Sequence, residues 1–255
     1  MLRILILLVL TAGCSAPRVW TTQRIGPVDI EGDVAMNVGG ATGSTTASGL
    51  GLEKDDAAWS PRVDFDFAGL HINLNRLSTE HSGNGMTNST LTLDGAAIPV
   101  NTPVRSELDF EMTTAAITFD FIPTSLVDVG IGLGAGTIEY DIDIQDTTTP
   151  ANRVQSNEEA PMGFIAGRAA SELGDFLLSL DVAWIKVELD DDELLFVDYD
   201  AAAVSWTFFS VAPGFGQLVL GYRLTQAELE FEDGNSTVDA NLDFKGAYVG
   251  LSLGL

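Results

Sequence analysis

The sequence predicts an all-β protein, a closed antiparallel transmembrane β-barrel. Three observations carry this expectation. Many segments alternate apolar and polar residues with the period of two that strand side chains impose. Within single segments the two faces exchange character halfway along. Short turns also alternate with longer loops, as in barrels with tight turns at one end and larger loops at the other.

Residues 127–144 show the exchange best. Their odd positions run Val127, Val129, Ile131, Leu133, Ala135 and then Glu139, Asp141, Asp143, while the even positions run from Asp128 and four glycines to Ile138, Tyr140, Ile142, Ile144. One strand therefore passes through two solvents. A lipid band around its first half produces the pattern. Such a strand is ~60 Å long, or ~45 Å high at the usual tilt, against an apolar band of ~25 Å. The barrel should extend beyond the membrane on the side of the acidic halves, which is the extracellular side if the short turns are periplasmic.

The other elements follow in order. In residues 28–38 the even positions Val28, Ile30, Val34, Met36 are apolar and the odd ones are Asp29, Glu31, Asp33, which assigns these acids to the lumen. Residues 39–56 are rich in Gly, Ser and Thr and read as an exposed loop. Residues 59–67 alternate Trp59, Val63, Phe65, Phe67 with Arg62, Asp64, Asp66, and Gly69 marks a tight turn. Leu70, Ile72 and Leu74 then oppose His71, Asn73 and Asn75, before a loop at 81–103. Residues 104–122 descend, with Glu107, Asp109, Glu111 preceding Ala115, Ile117, Phe119 on one face. A turn at 123–125 leads into the strand described above, a loop covers 146–158, and 160–172 places Arg168 inward. Residues 176–190 ascend with Phe176, Leu178, Leu180, Trp184 before Glu188 and Asp190, opposite Asp181, Ile185 and Val187. In 196–209 Asp198 and Asp200 share a face with Val204, Trp206 and Phe208, opposite Leu195 and Tyr199. Residues 218–232 carry Leu218, Leu220, Tyr222 and then Glu228, Glu230, Glu232, opposite Arg223, Leu229 and Phe231. The final strand, with Leu242 and Phe244 inward, runs to the end. About ten strands result, or eight if two segments are only loop hairpins.

With 255 residues, 45% of them hydrophobic, the chain can fill a large single core, and its formal charge of -25 excludes nucleic-acid binding through a basic patch. One cysteine excludes an internal disulfide framework. Residues 1–13, with Arg3 before an apolar run, read as a cleaved export signal, and Thr11-Ala12-Gly13-Cys14 resembles a bacterial lipobox whose cysteine becomes lipidated, the alternative being ordinary cleavage after Ala16. Residues 14–27 then form a tether and 28–255 the barrel. No stretch beyond the signal is apolar enough for a membrane helix, so any spanning is by strands.

The chain ends Tyr248-Val249-Gly250-Leu251-Ser252-Leu253-Gly254-Leu255. Tyr248, Gly250, Leu253 and Leu255 resemble the C-terminal signal read by the outer-membrane barrel-assembly machinery. Together with the export signal and strand pattern, the mature chain is similar to small outer-membrane β-barrels of the broad OmpA/OmpW-like class. That resemblance implies the outer membrane as location, and its lipids, lipopolysaccharide and the assembly machinery as partners.

Projecting the inward faces gives two storeys. Below lie Asp29, Glu31, Asp33, Arg62, Asp64, Asp66, His71, Asp120, Asp128, Arg168, Asp181 and Arg223, either a salt-bridged plug or a cation-preferring passage. Above lie Leu108, Phe110, Met112, Ile138, Tyr140, Ile142, Ile185, Val187, Leu195, Tyr199, Leu229, Phe231, Leu242 and Phe244, either a closed core or a pocket for a small hydrophobic ligand. The outer acids, including Glu107, Asp109, Glu139, Asp141, Asp198 and Asp200, form a collar that is either merely solvated or loosely binds Ca²⁺ or Mg²⁺. No firm metal site or other cofactor is indicated. Neither His71 nor His81 has an aspartate two residues before it, and no register sets either beside a serine, so the expectation is a non-enzymatic protein with a structural or surface-binding role. The alternative is a narrow cation-preferring pore or a channel or binding protein for a small hydrophobic ligand.

Overall fold

A computed structural model describes residues 17–38, 41–52, 56–93, 96–123, 127–173, 176–189, 192–211, 214–233 and 236–254. Cys14 and Leu255 lie outside these residues, as do most of the short turns at 124–126, 174–175 and 212–213. Ten long antiparallel strands form a closed barrel: β1 (Arg18–Val38), β3 (Asp56–Phe67), β4 (Leu70–Met86), β7 (Pro103–Pro123), β8 (Val127–Asp146), β9 (Arg153–Leu173), β10 (Phe176–Leu189), β11 (Asp192–Val211), β12 (Gly214–Asp233) and β13 (Ser236–Gly254). Each pairs with its neighbours in chain order. Pairing of β13 with β1, from Trp20↔Gly254 to Val38↔Ser236, closes the ring.

Among the described residues four short elements lie between the staves. β2 (Ala41–Thr46) pairs with the upper half of β1, whose lower half pairs with β3. A helical turn, α1 (Ala47–Leu50), follows, capped by Thr46, whose hydroxyl accepts from the Gly49 amide at 2.9 Å. Gly51 ends it at φ 78, the left-handed conformation that glycine takes without a Cβ clash. The hairpin β5 (Leu91–Leu93) and β6 (Ala96–Ile98) packs against β1, β2 and β9. The expected exposed loops at 39–56 and 81–103 are thus partly inward plugs: Ala47, Leu50, Leu52, Leu91 and Ile98 are buried. Their Gly/Ser/Thr content serves close approach as well as solvation. A Cβ on Gly83 of β4 would lie 1.8 Å from the Gly51 carbonyl oxygen.

Two strands differ from the sequence expectation. β1 starts at Arg18, so residues 18–27 are its membrane half and no tether. Its even residues face inward throughout: Thr22 and Arg24 below, Val28, Ile30, Val34 and Met36 above. Asp29, Glu31 and Asp33 therefore point outward and leave the lumen cluster. The alternation is sound, but 28–38 is the half beyond the apolar belt, where the apolar face belongs to the core. In β11 the register shifts twice between Ser205 and Phe209, so the phase read from Trp206 and Phe208 does not carry upward. Asp198 and Asp200 face inward, and Leu195, Val197 and Tyr199 outward.

Elsewhere the exchange of faces holds. Leu133, Ile131, Phe119, Phe121, Ile165, Leu178, Trp184, Leu220 and Leu251 are exposed on the outside of the lower half. In the upper half Ile30, Leu108, Phe110, Met112, Ile138, Ile142, Phe196, Leu242 and Phe244 are each at most 3% exposed. Phe110 stacks on Phe244 with ring centroids 4.1 Å apart. Burial in this core pushes the Tyr140 phenol up to about 12.

Truncation in this core should be costly. Phe110→Ala should destabilise by about 3–5 kcal/mol, measured as a lowered denaturant midpoint of the detergent-solubilised barrel. Gly83→Ala should loosen the α1 plug and expose the amides of residues 47–52 to hydrogen exchange.

Candidate functional site

The inner faces of β1, β3, β4, β10, β11, β12 and β13 bring charged side chains together at the waist of the barrel. Arg24 is central. Its Nε donates to the Ser60 carbonyl at 3.0 Å and its Nη2 to the Ser60 hydroxyl at 2.7 Å and to Asn75, while its Nη1 pairs with Asp200. The Tyr248 hydroxyl donates to the other Asp200 oxygen, and the Arg24 guanidinium lies 5.0 Å from the Tyr248 ring centroid. Arg223 forks onto Asp198 at 2.9 and 2.8 Å, and Thr225 adds a third bond to Asp198 at 2.7 Å. Arg62 binds Asp64 two residues along β3 and reaches across to Asp181 at 2.7 Å and Asp200 at 3.6 Å. His71 stands between two carboxylates, its Nε2 3.2 Å from Asp64 and its Nδ1 against Asp66. Arg168 is 3.7 Å from Asp66.

Such dense pairing follows from burial. A charge withdrawn from water costs several kcal/mol unless partners replace its solvation. Arg24, Asp200 and Arg223 are at most 5% exposed. One step of two residues up these strands leads from the polar network to a hydrophobe: Asn75 to Leu77, Asp198 to Phe196, Ser60 to Ala58. The network and the apolar core are stacked layers.

Of the sequence-predicted cluster, Arg62, Asp64, Asp66, His71, Asp181 and Arg223 meet here, and Asp120, Asp128 and Arg168 line the space below. Asp29, Glu31 and Asp33 do not. Sequence reasoning missed Arg24, Asp198 and Asp200, and placed Tyr248 only in a terminal signal. The alternation of Val19 and Ile25 with Trp20, Thr22 and Arg24 was the available clue to β1, weakened by Thr21 and Gln23 on the lipid face. Gly250 faces inward and Leu253 outward.

In the upper storey Leu108, Phe110, Met112, Ile138, Tyr140, Ile142, Leu242 and Phe244 form the core, with Ile185 packed at its edge. Leu195 and Tyr199 leave this set because they face outward. Val187, Leu229 and Phe231 have side chains outside the described set. His81 is buried in this storey beside the Thr79 hydroxyl at 2.9 Å.

Two spaces interrupt the lower interior. A cavity of about 40 Å³ between Arg62, Asn75, Phe164 and Asp198 has room for water. Below the network a vestibule of about 750 Å³ reaches the short-turn end, with Arg18, Arg168, Asp120, Asp128 and Glu172 among its walls.

Outside, Glu107, Asp109, Glu111, Glu139, Asp141 and Asp143 stand on neighbouring strands, in cross-strand pairs Asp109↔Asp141 and Glu111↔Glu139. Asp198 and Asp200 are not part of this collar. Its cations are paired: Arg76 with Glu111, Arg105 with Glu107, Arg153 with Asp143. Among the described residues, no group of three His, Cys, Asp or Glu is arranged to hold a metal ion. Burial, then Glu80, Asp141 and Glu107, hold the Asp109 carboxyl above the usual range.

No family model and no curated protein matches the chain. Among solved structures, the fold is similar to the outer membrane protease OmpT from Escherichia coli, with TM-score 0.58 and 9% identity over 96% of this chain and 100% of that one. Weaker likenesses are to Ail, the attachment invasion locus protein of Yersinia pestis (TM-score 0.33, 9% identity, 90% of this chain and 98% of that one), and to the transport unit of the autotransporter AIDA-I from Escherichia coli (0.37, 7%, 94% and 91%). At this identity the OmpT likeness establishes the fold alone, a closed antiparallel ten-strand barrel of outer-membrane type.

Two outcomes are expected. Asp200→Ala, which strands the buried Arg24, should cost about 3–5 kcal/mol, and Arg24→Met/Asp200→Leu should recover most of it, read as a double-mutant cycle of denaturant midpoints. For Asp109 the folded carboxyl binds its proton more tightly than the unfolded one, so its ionisation opposes folding above the folded pKa and the penalty fades as pH falls through it. Asp109→Asn should therefore raise the thermal midpoint at neutral pH and leave it unchanged near pH ~3, below the unfolded value.

Proposed function

We propose that this protein is an outer-membrane β-barrel with a structural or surface-binding role, presenting its acidic collar and plugged extracellular end to the outside rather than conducting solutes. The apolar core of the extracellular half supports this reading above all. Conduction needs a continuous hydrated path. Here Leu108, Phe110, Met112, Ile142, Phe196 and Phe244 fill the section above the ion network at no more than 2% exposure each. The network itself commits its cations to carboxylates.

A non-enzymatic role belongs to the same proposal. Proteolysis, the activity in the name of the similar barrel, would need an activated base open to substrate. His81 is sealed in the core, and both ring nitrogens of His71 face carboxylates, those of Asp64 and Asp66, so neither is directed at a substrate.

One observation favours a second reading. The vestibule below the network is large enough for a small solute and offers both signs of charge on Arg18, Arg168, Asp120 and Asp128. It would admit a ligand from the periplasmic end without passage to the outside. Purified protein in a planar bilayer should show no steady conductance under either reading. Reproducible cation-selective steps would overturn the sealed-barrel proposal in favour of a narrow pore.

A further inference from the structure

We propose that the vestibule at the short-turn end of the lumen binds a small organic cation, a primary ammonium group carrying an apolar body. The proposal rests on the second reading of that vestibule and names its ligand class. The chamber has a volume of about 750 Å³ and two unlike walls. Asp66 of β3, Asp120 of β7, Asp128 of β8 and Arg168 of β9 stand on one. Across the lumen β10, β11 and β12 present Leu177, Ala202, Val204 and Val219. A ligand with a charged head and an apolar body fits the two sides.

The sign of the head follows from which charges are already spent. Arg24 is committed to Asp200, and Arg62 to Asp64 and Asp181. Arg18 among the wall residues is matched in number by Glu172. Among the described residues this leaves Arg168 and His71 to face Asp66, Asp120 and Asp128. Even with His71 protonated, one carboxylate is in excess. Both Arg168 and His71 reach toward Asp66, the guanidinium at 3.7 Å and the imidazole through Nδ1. The excess negative charge therefore falls on Asp120 and Asp128.

The backbone leaves room for a ligand group beside these two. Asp120 is paired with Gly130 and Gly130 with Arg168, so the inner face between the carboxylate and the guanidinium carries no side chain. Strands lie ~4.8 Å apart, which sets the Asp120 and Arg168 backbones ~10 Å from each other. A Cβ on Gly130 would lie 2.9 Å from the Asp120 Oδ1. That oxygen is buried without a hydrogen-bond partner, and a carboxylate withdrawn from water is stable only when donors replace its hydration. Asp128 precedes Gly130 by two residues on the same face, which makes it a diagonal neighbour of Asp120. An ammonium group has three N–H donors and no acceptor, so one such group can serve both carboxylates.

The test is isothermal titration of the purified full barrel in neutral detergent with three probes of one shape, cyclohexylmethylamine, cyclohexylmethanol and cyclohexanecarboxylate, each corrected for a micelle blank. The amine should bind once per barrel and at least about tenfold more tightly than the other two. Asp120→Asn and Asp128→Asn should each weaken it about tenfold, the loss of one charge-assisted hydrogen bond. Ala202→Phe, which fills the apolar side, should weaken it as well. Asp109→Asn, the same change on the outer wall, should leave binding as in the wild type, and heat-shifted gel mobility reports folding of each variant. Tighter binding of the carboxylate, or an amine affinity unchanged in folded Asp120→Asn and Asp128→Asn, would overturn the cation assignment; the vestibule would still stand as a ligand site if Ala202→Phe weakens whichever probe binds. No saturable binding of any probe would overturn both.

Discussion

Inside a bilayer no water is present to satisfy a peptide group, so a chain that crosses as strands has to hydrogen-bond its last strand to its first. Pairing of β13 with β1 is the contact on which the rest of this structure depends. Closure makes an inside and an outside, and alternation along each strand then divides the side chains between them. The belt of Leu133, Phe119, Leu220 and Leu251 and the enclosed charges of the waist are two consequences of the same ring.

Enclosure then dictates the contents. Residues that face inward at membrane height lose bulk water without gaining lipid, and they are stable as charges only through one another. Arg24, Arg62 and Arg223 meet Asp64, Asp181, Asp198 and Asp200 for that reason. Above the membrane the outside is water, so polarity inverts: the acids move outward, and the interior becomes a core like that of a soluble protein. The α1 turn and the β5–β6 hairpin supply part of its packing. The protein is thereby two barrels joined end to end, one with a charged interior and one with an apolar interior.

Much of this was legible. Where a strand keeps one register from turn to loop, as β8 does, alternation assigns both faces and the height at which they exchange. The misassignments have separate physical causes. In β1 the lipid half is only weakly apolar, so alternation alone reads 28–38 as the whole strand and turns Asp29, Glu31 and Asp33 inward. In β11 two register shifts break the alternation, and Asp198 and Asp200 changed sides.

The fold class and the height at which the two faces exchange are written in the sequence, because a period of two against two solvents is a local property of each strand. Only the tertiary structure decided which charges meet. Arg24 and Asp200 are separated by 176 positions, and Tyr248 lies further still along the chain. Their meeting depends on ring closure and on register summed over every strand between them. Whether the interior is filled was decided the same way, since packing is a property of all ten staves together and of no segment alone.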